Sequence, residues 1–142
     1  EEALAQYVYE SHGEPAGLLA LARVLLWQGK AHEAYAILNK FPASSEFKTA
    51  KRLLPLAKAY ISFDSLPQVS ANPLEAAYRN SLRLAKSGKI EMALDGFLDI
   101  LRQDKHFHSG QLHEIYLALL EVLGDSHPAV RQYREDLSNV LF

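Results

Sequence analysis

Six histidines and seventeen carboxylates are the residues of this 142-residue chain that could hold a metal or move a proton. Three of the histidines, His106, His108 and His113, fall within eight positions. A structural zinc site needs four placed ligands, and no carboxylate or thiol at ligand spacing completes one here. His106 and His108 flank Phe107, which reads as the apolar anchor of a loop whose histidines face solvent. Asp125-Ser126-His127 contains the residue types of a hydrolytic triad, but sequence neighbours cannot take up triad geometry. Ser126 reads instead as a helix cap. With no cysteine there is no thiol nucleophile, thiolate zinc site or disulfide framework. The seven glycines stand singly at turns, forming neither a P-loop nor a dinucleotide fingerprint. The residues therefore predict no enzyme, no cofactor and no metal.

Whatever the chain does must come from the surface its elements build. A net charge of −2 lacks the basic footprint of a nucleic-acid binder. No apolar run approaches the ~20 residues that span a bilayer, so neither nucleic acid nor membrane is expected as a partner. The chain begins Glu1-Glu2, without an initiator Met or signal pattern, and reads as a soluble piece of something longer. Its length suits one domain. The 24 leucines and 19 alanines, against few β-branched residues, predict helices.

Gly and Pro divide the chain into about eight helices, with no strand pattern. Helices are expected over about Glu2 to Ser11, Ala16 to Gln28 (ended by Gly29), and a third carrying Ala34, Ile37, Leu38 and Phe41. Ser45 to Phe63 reads as one longer helix or, because Pro55 interrupts it, two shorter pieces. Asp64 to Ala71 reads as a loop. Asn72-Pro73-Leu74-Glu75 is a helix start, with Asn as cap, Pro at the first position and Glu reaching back. That helix ends at Gly88. Further helices carry Ile90 to Leu101 and Leu112 to Leu123, and a last one runs from a Ser126 cap to the terminus. The domain is single over 1–142, with halves 1–71 and 72–142.

Leu18 to Phe41 and Ala77 to Ile100 align without gaps. Both hold a turn glycine (Gly29, Gly88), a lysine after it (Lys30, Lys89), alanine five positions on (Ala34, Ala93) and an apolar residue at nine (Leu38, Phe97). Glycine permits a left-handed turn, and alanine lets the second helix press closely on the first. This resembles the tetratricopeptide repeat. The resemblance implies an all-α, right-handed solenoid of antiparallel helix pairs. The offset of 59 residues exceeds one ~34-residue unit, so a degenerate segment, Ser45 to about Leu66, lies between the repeats.

The second half carries more specific motifs. Ala85-Lys86-Ser87-Gly88-Lys89-Ile90-Glu91-Met92-Ala93-Leu94 leads into Leu98-Asp99-Ile100-Leu101-Arg102-Gln103-Asp104. Phe107, Gly110, Leu123-Gly124-Asp125, Tyr133-Arg134, Leu137 and Val140-Leu141-Phe142 follow. This resembles the C-terminal tetratricopeptide domain of bacterial thioredoxin-fused co-chaperones of the chaperedoxin type, over about 125 of the 142 residues. The sequence departs from that family at Ser109, where it often has Asp, at His113 and Glu114, where it often has a basic pair, and at Glu135 and Asp136 after Arg134, where it is often basic. The resemblance implies a cytoplasmic holdase with a thioredoxin-like domain upstream, binding unfolded client proteins and docking on a chaperonin through its last helix.

Two surfaces follow as candidates. Val130, Tyr133, Leu137 and Leu141 form the apolar stripe of the last helix, with Phe142 at its tip; Arg131, Tyr133, Arg134, Leu137, Leu141 and Phe142 are the expected protein-binding residues. A broader groove is expected from Arg23, Trp27, Tyr78, Arg79 and Arg83, since arginine and aromatic residues favour binding hot spots. The carboxylate clamp of some tetratricopeptide grooves is mostly absent, because its positions hold Ala16, Leu19, Ala20 and Arg23, then Glu75, Tyr78, Arg79 and Leu82. The alternative reading is a scaffold or dimerisation module, forming a homodimer, with no client-binding role.

Overall fold

The computed structural model describes residues 14–142, so the expected helix at Glu2 to Ser11 lies outside the described residues. Seven α-helices follow: α1 (Pro15–Trp27), α2 (Ala31–Asn39), α3 (Phe47–Ser62), α4 (Pro73–Lys86), α5 (Ile90–Gln103), α6 (Gln111–Leu123) and α7 (Val130–Leu141). Short 3-10 turns stand at Phe63–Ser65 and Phe107–Gly110. The described residues contain no strand, in keeping with the all-α stack of helix pairs expected from the repeat.

The two helical hairpins, α1–α2 and α4–α5, close by the same backbone motif. Gly29 and Gly88 take φ of 75° and 86°, the left-handed conformation that glycine adopts without penalty. Lys30 N–H then donates to the Leu25 carbonyl at 2.8 Å, and Lys89 N–H to that of Leu84 at 2.9 Å. Gly29 and Gly88 N–H donate to Leu26 and Ala85 at 3.1 and 3.0 Å. These bonds satisfy carbonyls that a helix end leaves open. The small residues five positions on, Ala34 and Ala93, are fully buried, with Leu38 and Phe97 beside them in the core.

Matched elements meet reciprocally. The third helices of the two units, α3 and α6, pack on each other along their length; α1 touches α6 as α4 touches α3. Contacts that exchange in this way belong to a local twofold relation. The turns obey it residue by residue. A Cβ on Gly29 would lie 2.5 Å from the Lys86 carbonyl oxygen, and one on Gly88 3.5 Å from that of Trp27. Trp27 and Lys86 are themselves equivalent positions of the repeat.

At Pro55 the single-helix reading holds, and two other local expectations are corrected. α3 is one helix through Pro55, because the surrounding turns and a buried stripe of Ala50, Leu53, Leu56, Ala57 and Tyr60 hold it together. At the start of α4, Asn72 does cap, its side chain accepting from Leu74 and Glu75 N–H at 2.9 and 3.3 Å. The Asn72 N–H, however, donates to Ser70 Oγ at 3.2 Å, and Glu75 turns away to His108. Ser126 caps nothing: α7 starts at Val130, and His127 Nδ1 accepts the Ala129 N–H at 3.1 Å.

Substitution at the two turn glycines separates conformational strain from close approach. Gly88→Ala is expected to cost about 1 kcal/mol, the left-handed penalty alone. Gly29→Ala should cost about 3 kcal/mol, because its Cβ also collides with backbone. Urea unfolding of both variants followed by circular dichroism measures the difference.

Candidate protein-binding surfaces

A cavity of about 470 Å³ opens between α3, α4 and α6. Lys51, Pro55 and Lys58 form one wall; Gln111, Glu114 and His108 form the other; Leu54, Ala59, Leu66 and Ile115 give it apolar surface. Its geometry depends on an unusual backbone. His108 and Ser109 have φ of 53° and 57°, and Gly110 follows at 89°, making one left-handed turn. Non-glycine residues pay about 1–2 kcal/mol each for this conformation. Side-chain contacts offset it. Phe107 is buried and stacks on the His108 ring at 4.1 Å between centroids. Tyr78 meets His108 edge-on at 4.7 Å and Phe107 at 5.6 Å. His108 Nε2 lies 2.8 and 3.0 Å from the two oxygens of Glu75, which ties the turn to the first turn of α4. His108 is therefore a held side chain rather than a solvated loop histidine.

α3 itself carries Lys48, Lys51, Arg52 and Lys58 and no acidic residue. Arg52 is engaged: Glu121 of α6 lies 3.3 Å from it and 3.6 Å from Arg23 of α1, joining three helices through one half-buried carboxylate. Lys51 Nζ sits 5.4 Å from the centre of the Phe47 ring. Among the described residues no carboxylate comes within ion-pair distance of Lys48, Lys51 or Lys58.

The five residues expected to share a groove are divided. Arg23 and Trp27 line a cavity of about 240 Å³ with Val24, Gln28 and Val122. Trp27, 40% exposed, also borders a cavity of about 250 Å³ with Met92, 55% exposed. Tyr78 is buried against Phe97 and faces the larger cavity under α3. Arg79 lies over the Phe63 ring at 4.7 Å, where Lys86 also approaches at 5.2 Å. Arg83 donates to Asn80 on its own helix at 2.7 Å.

On α7, the stripe is mostly spent on packing. Val130 and Leu137 are buried. The Tyr133 phenol donates to Asp95 Oδ1 at 2.8 Å and lies 3.2 Å from the Glu91 carbonyl, pinning α7 to α5. The Tyr133 carbonyl accepts from Tyr116 OH at 2.7 Å. Arg134 pairs with Asp125 at 3.0 Å and Arg131 with Glu135 at 3.7 Å. Leu141 is half-buried, while Phe142 is fully exposed. Asp125 and His127 therefore serve Arg134 and the backbone of Ala129 and form no triad. Among the described residues no three His, Asp or Glu side chains are grouped to hold a metal, and no helix is long and apolar enough to cross a membrane.

The tetratricopeptide-repeat family profile matches residues 66–142, the part that holds the α4–α5 hairpin, α6 and α7. The chain belongs to the tetratricopeptide repeat family. Repeats of this family mediate protein–protein interaction. A Haemophilus influenzae protein described as "Uncharacterized protein" is 24% identical over 132 residues, covering 87% of this chain and 61% of its own length. The chain thus spans about three fifths of the curated relative it matches. No solved structure matches it.

The tetratricopeptide assignment leaves the two polar features just described, the Glu75–His108 pair and the lysine face of α3, as local additions to a repeat scaffold. Neither was anticipated from the motifs, although the absence of any acid from Phe47 to Ser62 was readable. The buried tyrosines give the scaffold a pH limit. Burial holds the phenols of Tyr60, Tyr116 and Tyr133 well above the usual range and, with the charge of Glu75, pushes Tyr78 up to about 12. The unfolded chain loses these protons near pH 10, so the stabilisation is full below pH 10 and is lost as pH rises through the folded values. The urea midpoint should therefore fall steadily above pH 10, with tyrosinate absorbance appearing together with loss of helical circular dichroism.

Proposed function

We propose that this tetratricopeptide domain is the protein-binding part of a larger thioredoxin-fused holdase. In this reading it takes up unfolded clients through exposed apolar side chains and docks on a chaperonin through the end of α7. The observation that carries the reading is Phe142, fully exposed at the tip of a helix whose other large apolar side chains are committed to packing. An exposed aromatic following half-buried Val140 and Leu141 suits insertion into a partner's groove. Trp27 and Met92, exposed beside one cavity, offer a second apolar contact for clients. The motif resemblance over most of the chain supports the thioredoxin fusion, and the greater length of the Haemophilus relative agrees with a longer protein.

The docking half of the reading is testable without disturbing the core. Truncation after Asp136 removes buried Leu137, so Phe142→Glu, which changes a side chain that touches nothing, is the cleaner variant. Chaperonin recovery in a pull-down is expected to drop about ten-fold for Phe142→Glu and for the truncated chain. Equal recovery from the intact chain and from Phe142→Glu would remove docking by α7. The client-binding half is read by suppression of aggregation of a thermally unfolded enzyme. Failure to suppress it, together with a concentration-dependent dimer in sedimentation, would turn the reading to a dimerising scaffold.

A further inference from the structure

The chain holds one methionine, one tryptophan and no cysteine, so Met92 carries its only sulfur and Trp27 its only indole. The fold brings the two to one cavity of about 250 Å³, with Ile90 and Leu123 beside them. Met92 stands in the first turn of α5 and is 55% exposed; Trp27 ends α1 and is 40% exposed. The indole lies over the second hairpin turn, its Cδ1 and Nε1 3.7 Å from where a Cβ on Gly88 would stand. The other half of the molecule shows what the scaffold needs at these positions. The repeat offset pairs Trp27 with Lys86, Met92 with Glu33 and Leu123 with Asp64, all of them charged. An apolar surface is therefore no requirement of the reciprocal fold, and its presence in one half alone marks it for contact with something else.

We propose that Met92 is a reversible oxidation site, through which a peroxide turns this apolar surface polar and weakens its hold on a bound protein segment. Such control rests on the client-binding half of the proposed function. The thioether sulfur attacks one oxygen of hydrogen peroxide, and the S–O bond forms as the O–O bond breaks. The departing hydroxide takes the proton left on the transferred oxygen and leaves as water. Sulfur is oxidised by two electrons and the peroxide reduced by the same two. The product is a methionine sulfoxide, which a thiol-dependent reductase returns to the thioether. Access governs susceptibility, and more than half of Met92 is open to solvent. The flexible thioether suits an adaptable apolar contact, whereas the sulfoxide sets a strong dipole beside the indole. Met92 takes no part in the core, so its oxidation leaves the folded scaffold in place.

Hydrogen peroxide added to the full chain tests it, with the single tryptophan as reporter. Intact mass should show one oxygen gained per chain, mapped to Met92, at a rate within about three-fold of that of N-acetylmethionine amide. Trp27 emission should shift to the red as its neighbour becomes polar. The oxidised chain should bind the apolar dye anilinonaphthalene sulfonate, and suppress aggregation of a thermally unfolded enzyme, about three-fold less well than the reduced chain. Methionine sulfoxide reductases with a thiol reductant should restore mass, emission and binding together. Met92→Gln, which imitates the polar sulfoxide, should bind weakly without peroxide. Met92→Leu should bind as the native chain does and ignore peroxide, and both variants should keep the native urea midpoint. Oxidation more than about ten-fold slower than that of the free amide overturns the proposal. So does an oxidised chain that binds dye and client unchanged, or a Met92→Leu chain that loses binding to peroxide equally. If aggregation suppression is present and indifferent to oxidation, this proposal falls and the proposed function stands. If the reduced chain suppresses none while oxidation at Met92 still lowers dye binding, the client-binding half of that function falls and the oxidation site stands.

Discussion

The structure depends on two glycine turns meeting each other's helix ends. Gly29 sits against the Lys86 carbonyl and Gly88 against that of Trp27, so each hairpin's turn packs on the last turn of the other's first helix. At Gly29 such an approach is open only to a residue without a Cβ, whereas at Gly88 a Cβ would make ordinary contact; the left-handed φ that closes each hairpin favours glycine at both. Two independent constraints therefore fall on Gly29 and one on Gly88. Once the turns are engaged, α1 and α4 are fixed relative to one another, and α3 and α6 are brought together to bury their leucine faces. Neither unit could bury that face alone.

A reciprocal arrangement makes divergence between equivalent positions informative. The pairs that build the core keep their character: Gly29 with Gly88, Ala34 with Ala93, Leu38 with Phe97. The surface pairs do not. Trp27 stands where the second half has Lys86, Lys58 where it has Leu117, and Ala20 where it has Arg79. These substitutions move an indole into one groove and a lysine over Phe63 in its counterpart. They also put cations on α3 and an apolar side chain on α6. The scaffold is shared by both halves, whereas the chemistry offered to a partner differs between them.

What could be read from residue order was what short-range physics decides. The helix ends at Gly29, Gly88 and Gly124, the Asn72 cap and the buried alanines are each set within a few residues, and the structure has them. The errors came where a local pattern had a distant competitor. Glu75 fits a capping box, but Ser70 Oγ takes the Asn72 N–H and leaves the carboxylate for His108, 33 residues on. Ser126 has the composition of a cap, yet His127 supplies the acceptor one residue later. The single helix expected through Pro55 does hold, because one missing bond is less than the burial of five side chains along it. The grouping of Arg23 and Trp27 with Tyr78 and Arg79 failed for a topological reason. Equivalent helices of a reciprocal pair face opposite partners, α1 toward α6 and α4 toward α3, so residues matched in the repeat line separate cavities.

The same logic explains why the left-handed turn at His108-Ser109-Gly110 persists. α6 must start at an angle that lets it lie along α3, while α5 ends on the far side of Phe97 and Ile100. The three residues of this turn redirect the chain, and only the last is glycine. Two strained residues, at about 1–2 kcal/mol each, would be replaced by glycine or asparagine if redirection were the sole requirement. His108 instead couples the turn to α4 through Glu75 and stacks between Phe107 and Tyr78. These contacts offset strain of that size, since the hydrogen bond to Glu75 and the two ring contacts each contribute about 1 kcal/mol. A glycine at 108 would relieve the backbone but give up the tie to α4 and the ring contacts that fix where α6 begins, so the strain is kept for the coupling it allows.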